Sequence, residues 1–126
     1  MLKVTEFLDI DKIEELRKKS LNKGLDEFDN FSYHAALTEN DKLCGTARLY
    51  KKGNNIIIDN IALEKFSEGH YELLFRAMLL KAINIGCRFI VANKEREREF
   101  YFKFNFDKEL KVESDKIVFP STCGKL

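Results

Sequence analysis

Runs of apolar residues separated by short polar turns predict seven β-strands. Polar turns at 39–42 and 51–55 separate the second, third and fourth of these, so we expect an antiparallel meander there. The run 56–63 is the most β-branched of the chain. The predicted strands cover residues 2–8, 32–38, 43–50, 56–63, 87–92, 106–113 and 116–119.

Apolar positions at helical spacing predict four helices between the strands. Asp11 followed by Glu14 has the pattern of a capping box, and Gly24 is typical of the end of the first helix. The third helix is apolar around much of its circumference and should be largely buried. The predicted helices cover residues 11–21, 25–31 (a short helix or turn), 70–85 and 95–104.

The predicted order is β-α-α-β-β-β-α-β-α-β-β. A meander followed by a β-α-β crossover distinguishes this order from a doubly wound α/β fold. We therefore expect residues 1–126 to form a single α/β (α+β) domain, with one mixed, mostly antiparallel sheet of six or seven strands flanked by helices. Exposed sheet edges are compatible with a monomer or a homodimer.

Composition narrows the possible partners and compartment. The 126 residues include 22 basic and 21 acidic ones, so no charge imbalance favours a nucleic acid or an anionic membrane. No apolar run is long enough to span a bilayer, and the acidic N-terminus is unlike a signal peptide. Three widely spaced cysteines without metal-ligand spacing predict reduced thiols, a cytoplasmic protein and no metal site.

The segment from Ile61 into the third helix carries the first motif. Ile61-Ala62-Leu63 ends a strand, and Gly69 opens the helix that follows. This resembles the GNAT N-acetyltransferase superfamily, in which such a strand end precedes an Arg/Gln-x-x-Gly-x-Gly/Ala loop. In that loop, backbone N–H groups and the helix N-terminus hold the pyrophosphate of acetyl-CoA. The resemblance implies that acetyl-CoA is the co-substrate.

The same loop also departs from the family pattern. Glu68 occupies the Arg position, while Tyr71 and Leu73 occupy the two later small positions, so only Gly69 remains. Side chains then replace glycines whose missing Cβ lets phosphate approach. Glu68 and Glu72 are expected to place carboxylates in the first turn, at the positive end of the helix dipole.

A second motif begins at Asn93 and ends at Phe106. It resembles the family's Asn-x-x-Ala-x-x-Phe-Tyr-x-Lys-x-Gly-Phe pattern, with Asn105 in place of the glycine. In the family, the tyrosine that matches Tyr101 often protonates the departing CoA thiolate, and a phenol with a pKa near ~10 is suited to that step. The two motifs together imply cofactor-binding residues Ile61, Ala62, Leu63, Gly69 and Asn93, with Tyr101 as a catalytic acid. His70 is a further predicted cofactor-binding residue, without a motif, because it could offset the repulsion between the carboxylates and the pyrophosphate.

Candidates for a general base are fewer. Asp59 lies on the fourth strand, near the place where some members of the family keep an acid or a water relay to the incoming amine. It is the second predicted catalytic residue, although a solvent-facing role on the strand would explain it equally well. Tyr33 and His34 are weaker candidates on the second strand.

Two functional hypotheses follow. The first is an N-acetyltransferase in which an amine of a small molecule or peptide attacks the thioester of acetyl-CoA directly. Backbone N–H groups around Ile61 to Leu63 would then hold the pantetheine arm and polarise the carbonyl. The second is a GNAT-fold binding or regulatory module that no longer binds acetyl-CoA, because its loop is poor in glycine and carries carboxylates.

Overall fold

The structure is a computed structural model that describes residues 1–53, 55–85, 89–91, 111–113 and 116–118. Its elements are β1 (Leu2–Glu6), α1 (Ile10–Leu21), the 3₁₀ helix η1 (Glu27–Phe31), β2 (Tyr33–Glu39), β3 (Lys42–Lys52), β4 (Asn55–Leu63), α2 (Glu68–Asn84), β5 (Phe89–Val91), β6 (Lys111–Glu113) and β7 (Lys116–Val118). This is the predicted order, except that the helix predicted over 95–104 lies outside the described residues.

The described strands form one seven-stranded sheet in the order β1-β2-β3-β4-β5-β7-β6. Neighbouring strands are antiparallel in every pair but one, the parallel pair of β4 and β5. Since α2 connects these two strands, they form the predicted β-α-β crossover. The sheet confirms the predicted mixed, mostly antiparallel fold class.

One face of the sheet packs against α2 and forms the apolar core. Alternate residues of β2, β3 and β4 point to this face and contact the buried side of the helix, including Leu74, Phe75 and Met78. These three side chains are at most 1% exposed. The prediction that this helix is largely buried is therefore confirmed.

The opposite face packs against α1 and η1 and is much more polar. Ile13 and Leu16 of α1 supply its apolar contacts. Between them and η1 lies a layer of buried polar and charged side chains from α1, η1, β2 and β3. These are Arg17, Asp29, His34, Thr46 and Arg48.

The two capping residues of α1 differ from the predictions. The N-cap of α1 is Asp9, whose carboxylate accepts the N–H of Lys12, so Asp11 lies in the first turn instead of capping it. The helix ends at Leu21, as predicted, but the residue that turns the chain is Asn22 at φ 55°, not Gly24. The short helix predicted over 25–31 is confirmed as η1, with Asp26 as its N-cap.

Candidate functional site

A bulge interrupts the pairing of β4 with β3. Thr46 pairs with Ala62 and Arg48 with Asp59, so the single residue Ala47 lies opposite both Asn60 and Ile61. Asn60 takes a left-handed conformation at φ 49°, which asparagine tolerates better than most residues. We call this feature the β4 bulge.

The β4 bulge changes which side chains reach the core. Without an extra residue, Ile58 and Ile61 would point to opposite faces of the sheet, because side chains alternate along a strand. Both instead belong to the core that faces α2. The bulge therefore keeps the end of β4 anchored in the core while it bends the backbone, which is common beside active sites.

The described pairing of β4 with β5 ends before the β4 bulge, and β4 continues beyond it. The two strands are in register from Asn55 to Ile57, opposite Phe89 to Val91, whereas β4 itself continues to Leu63. Predicted cofactor residues Ile61, Ala62 and Leu63 all lie in this extension and are buried. The backbone of Leu63 already has a partner within the chain, because its N–H donates to Ser20 Oγ of α1 at 3.1 Å.

The helix that follows β4 begins two residues earlier than predicted. Ser67 is its N-cap, and the Ser67 hydroxyl accepts the N–H of His70 at 3.4 Å. Glu68 lies in the first turn, but the earlier start places Glu72 in the second turn, so the prediction of two first-turn carboxylates is wrong for Glu72.

The start of α2 does not reproduce the glycine-lined loop of the family pattern. The side chain of Tyr71, where the pattern has a small residue, is buried at 4% exposure. Gly69 is exposed, and a Cβ built there would come no closer than 3.7 Å to Ser67 Oγ. Packing therefore does not require glycine at this position.

A cleft of about 470 Å³ lies beside the β4 bulge on the polar face of the sheet. We call it the Arg48 cleft, because the guanidinium of Arg48 lies in its wall. The cleft runs between the loop that joins α1 to η1 and the strands β3 and β4. The residues that line it include Lys23, Asp26, Phe28, Tyr50, Asp59 and Asn60.

Arg48 binds carboxylates from two directions. Its Nε and Nη2 donate to the two oxygens of Asp59, at 2.7 and 2.8 Å, while Nη1 donates to Oδ1 of Asp26 at 2.6 Å. The same Nη1 lies 3.3 Å from Oδ1 of Asp29. Burial acts to lower the pKa of the guanidinium, but hydrogen bonds and charges from Asp59 and Asp26 raise it overall, so Arg48 stays cationic.

A second buried arginine anchors η1 to α1. Arg17 is 1% exposed and binds both oxygens of Asp29, at 2.7 and 2.8 Å. Burial acts to raise the pKa of Asp29, but the hydrogen bonds from Arg17 and from the Asp26 N–H, with the charges of Arg17 and Arg48, lower it to about 2. Asp29 is therefore ionised at neutral pH despite its burial.

Aromatic rings complete the wall of the Arg48 cleft. Phe28 and Tyr50 stack with centroids 4.7 Å apart, and the guanidinium carbon of Arg48 lies 4.9 Å from the centroid of Tyr50. Lys52 Nζ lies 5.5 Å from the centroid of Phe28. Aromatic faces attract cations, so these rings stabilise the positively charged side chains of Arg48 and Lys52 beside them.

The structure brings some of the predicted site residues together and leaves others untested. Asp59 lies next to the β4 bulge in the Arg48 cleft, half-buried and paired with Arg48, so it is not the freely solvated residue that the sequence also allowed. His34 is buried, with its Nε2 3.0 Å from the carbonyl of Asp29. Tyr101, predicted to be catalytic, and Asn93, predicted to bind the cofactor, lie outside the described residues, as do Cys87 and Cys123.

Sequence reasoning missed Arg17, Asp26, Asp29 and Arg48. These four come from α1, η1 with the loop before it, and β3, and only Asp26 and Asp29 share a local motif, the capping box of η1. A further signal was the arginine in the middle of the third strand, because Arg48 lies among Ala47, Leu49 and Tyr50. Such a residue must be paired if it is buried.

A second pocket of about 530 Å³ lies beside the start of α2. It is lined by His70, Lys65, Lys19 and Lys42, with Glu39, Glu64 and Cys44. Burial, with the nearby charges of Glu39 and Glu64, raises the pKa of the Cys44 thiol, which makes it a weak nucleophile. Within the described part of the chain, no group of three or more His, Cys, Asp or Glu side chains has the geometry of a metal site.

Comparison with solved structures identifies the class of fold. The ribosomal-protein-S18-alanine N-acetyltransferase from Escherichia coli superposes with a TM-score of 0.66 at 13% identity, over 95% of this chain and 94% of that one. A GNAT family acetyltransferase from Elizabethkingia anophelis with acetyl-CoA bound gives 0.64 at 14% identity, over 93% and 94%. The chain therefore has the fold of the GNAT acetyltransferases, which confirms the resemblance at the level of the fold.

Other comparisons set the limits of that likeness. A candidate acetyltransferase from Pyrococcus horikoshii has a TM-score of 0.64 at 12% identity, over 89% of this chain but only 44% of its own length. No protein-family model matches the sequence. No curated protein matches it either.

The end of β4 and the start of α2 differ in how well their described residues suit acetyl-CoA. Beyond Ile57, β4 has no described partner on its β5 side, where a pantetheine arm would pair with the strand if acetyl-CoA is bound. The family's glycine-lined loop is missing at the start of α2. The neighbouring pocket is lined by His70 and Lys65, whose side chains are of types that can bind phosphate.

No helix in the described ranges is long and apolar enough to cross a membrane.

Proposed function

We propose that this chain is an N-acetyltransferase that uses acetyl-CoA and acts on an amine of a small molecule or peptide. The single observation that carries the proposal is the β4 bulge, within a fold shared with acetyltransferases and next to a cleft on the polar face. Acetyl-CoA would supply the acetyl group, and CoA would leave as the thiolate when the C–S bond breaks. Residues of this chain would bind the amine, hold the cofactor and transfer the protons.

The Arg48 cleft is the proposed entry for the amine. It reaches the β4 bulge at Asn60, and its charged lining contains the carboxylates of Asp26, which is 45% exposed, and Asp59, at 26%, together with the cations Lys23 and Arg48. The partly exposed carboxylate of Asp26 is the proposed group that attracts the amine. Asp59 remains the proposed group for receiving a proton from the amine, and Tyr101 the proposed acid for the thiolate.

This proposal also requires that the chain bind the pyrophosphate with residues other than those of the family pattern. Gly69 and His70 lie in the first turn of α2, whose N–H groups can bind an anion, although that of His70 now donates to Ser67 Oγ. Lys65 precedes the helix and lines the same pocket as His70. We propose that these residues replace the arginine of the family pattern.

The second candidate function is a binding or regulatory module that has lost acetyl-CoA. Two observations favour it. The N–H of Leu63 is already bound to Ser20, and Glu68 places a carboxylate at the start of α2, where it would repel a diphosphate. In that case the Arg48 cleft would hold another ligand or a segment of a partner.

Titration calorimetry with acetyl-CoA separates the two functions. The wild-type protein is compared with Glu68→Arg and with Asp11→Arg, which makes the same charge change in the exposed first turn of the other long helix. Saturable binding by the wild type at micromolar concentration supports the enzyme. Binding by Glu68→Arg alone means that the fold keeps the site but that Glu68 blocks it. If none of the three proteins binds acetyl-CoA, the result supports the binding module.

A further inference from the structure

The N–H of Leu63 points away from β3. The next N–H, that of Glu64 just after β4, donates to the carbonyl of Cys44 on β3 at 2.9 Å. Since successive N–H groups of a strand point to opposite edges, the N–H of Leu63 points to the edge that β4 shares with β5 further back along the strand. Its acceptor there is not a strand carbonyl but the hydroxyl of Ser20.

Ser20 belongs to the last turn of α1, 43 residues before Leu63 in the chain. Its neighbour Lys19 lies 3.7 Å from the carboxylate of Glu64. Two consecutive residues of α1 therefore hold two consecutive residues at the end of β4. The Lys19–Glu64 pair is exposed and contributes little, so the Ser20 hydrogen bond is the principal contact of the two.

We propose that Ser20 is a latch residue that restricts access of an acyl-CoA to the end of β4. This inference rests on the proposed function, because it assigns Leu63 N–H to the pantetheine arm or the thioester carbonyl. One N–H cannot fully serve two acceptors, so the arm must displace the Ser20 hydroxyl before it can pair with Leu63. Acyl-CoA binding and the attachment of α1 to β4 are then in competition.

Removal of the hydroxyl should strengthen acyl-CoA binding. Ser20→Ala leaves the N–H of Leu63 without an internal acceptor and favours the helix, since alanine has the highest helix propensity. If the lost contact has the strength of an ordinary neutral hydrogen bond, the Kd for acetyl-CoA falls by about fivefold. Ser20→Thr keeps the hydroxyl and should bind as the wild type does.

The experiment combines titration calorimetry with amide hydrogen exchange. Acetyl-CoA is titrated into wild type, Ser20→Ala and Ser20→Thr, and the exchange rate of the Leu63 amide is measured in each protein without ligand. We expect faster exchange at Leu63 in Ser20→Ala alone, together with tighter acetyl-CoA binding. Binding by Ser20→Ala with silence from the wild type would support the latch more strongly still.

Other results would overturn the proposal in distinguishable ways. If the wild type binds acetyl-CoA and Ser20→Ala binds no tighter, the latch is wrong while the proposed function stands. If none of the three proteins binds acetyl-CoA, both the latch and the proposed enzyme function are wrong, whatever the exchange rate at Leu63. Equal exchange at Leu63 in wild type and Ser20→Ala would show that the hydroxyl does not protect this amide.

Discussion

Arg48 and Asp59 are direct partners across β3 and β4, and they form a two-point ion pair with N···O distances of 2.7 and 2.8 Å. They are also the last paired residues before the β4 bulge. Directly opposed residues of adjacent strands point to the same face, so the pair fixes the register where the strand is about to bend. The charged side chains thereby stabilise the geometry of the candidate site.

Replacement of Asp59 by asparagine should therefore lower the stability of the fold. The amide keeps the shape of the carboxylate but loses its charge, and the buried Arg48 is left with Asp26 and Asp29. We expect a decrease of about 1–3 kcal/mol in the free energy of unfolding, measured by urea denaturation. Asp41→Asn, at an exposed turn, is the matched control and should change little.

The same variant separates a structural role of Asp59 from a catalytic one. If Asp59→Asn unfolds at the same urea concentration as Asp41→Asn, the ion pair does not stabilise the fold. A loss of acetyl transfer at unchanged stability would then assign Asp59 to the reaction itself.

Acid should destabilise the protein through Asp29. Its pKa is about 2 in the folded state, below the ordinary value of 3.8, so the ionised form is favoured by folding. The contribution is fully present above about pH 4 and is lost as the pH falls towards 2; a shift of this size corresponds to roughly 2 kcal/mol. Urea denaturation at a series of pH values between 7 and 2 measures this loss.

The matched variants for that series are Asp29→Asn and Asp11→Asn. Asp29→Asn leaves Arg17 buried without its counter-ion, so it should be less stable at pH 7 by about 3 kcal/mol and should lose less stability on acidification. Asp11 is exposed, and its variant should follow the wild type. An Asp29→Asn variant as sensitive to acid as the wild type would contradict this assignment.

Two glycines should respond in opposite ways to the same substitution. A Cβ at Gly45 would come within 2.7 Å of Leu63 Cδ2 and 3.0 Å of Leu74 Cδ1, between β3, β4 and α2. Gly45→Ala should cost about 1–3 kcal/mol because the packed core must shift. At Gly69 the nearest atom would be 3.7 Å away, so Gly69→Ala in α2 should stabilise the protein by up to about 1 kcal/mol.

Thermal unfolding of both glycine variants gives the comparison directly. Acetyl-CoA titration of Gly69→Ala adds a second result, because a Cβ at a phosphate-binding turn would weaken binding even in a more stable protein. A stable Gly45→Ala variant would contradict the close approach of α2 to the sheet at this point.

Much of the fold could be predicted from local sequence, because strand and helix periodicity is local. The apolar run 56–63 and the helical spacing after Ser67 were sufficient for β4, α2 and their crossover. The β4 bulge could not be predicted, since Ile58 and Ile61 fit either face until the strand is paired. The ion pairs of Arg48 could not be predicted either. Asp26 and Asp59 are 22 and 11 residues from Arg48 in the chain, and only the folded sheet brings them together.

The β4 bulge itself gives the last prediction. Asn60 has a φ of 49°, a conformation that costs roughly 1–2 kcal/mol for most residues and more for a β-branched one. Asn60→Val should lower the free energy of unfolding by about 2 kcal/mol, whereas Asn60→Gly should stay within about 0.5 kcal/mol of the wild type, since glycine adopts positive φ readily. Urea denaturation measures both. If valine were tolerated as well as glycine, the β4 bulge would not need a residue that adopts the left-handed conformation readily, and the register shift opposite Ala47 would have another cause.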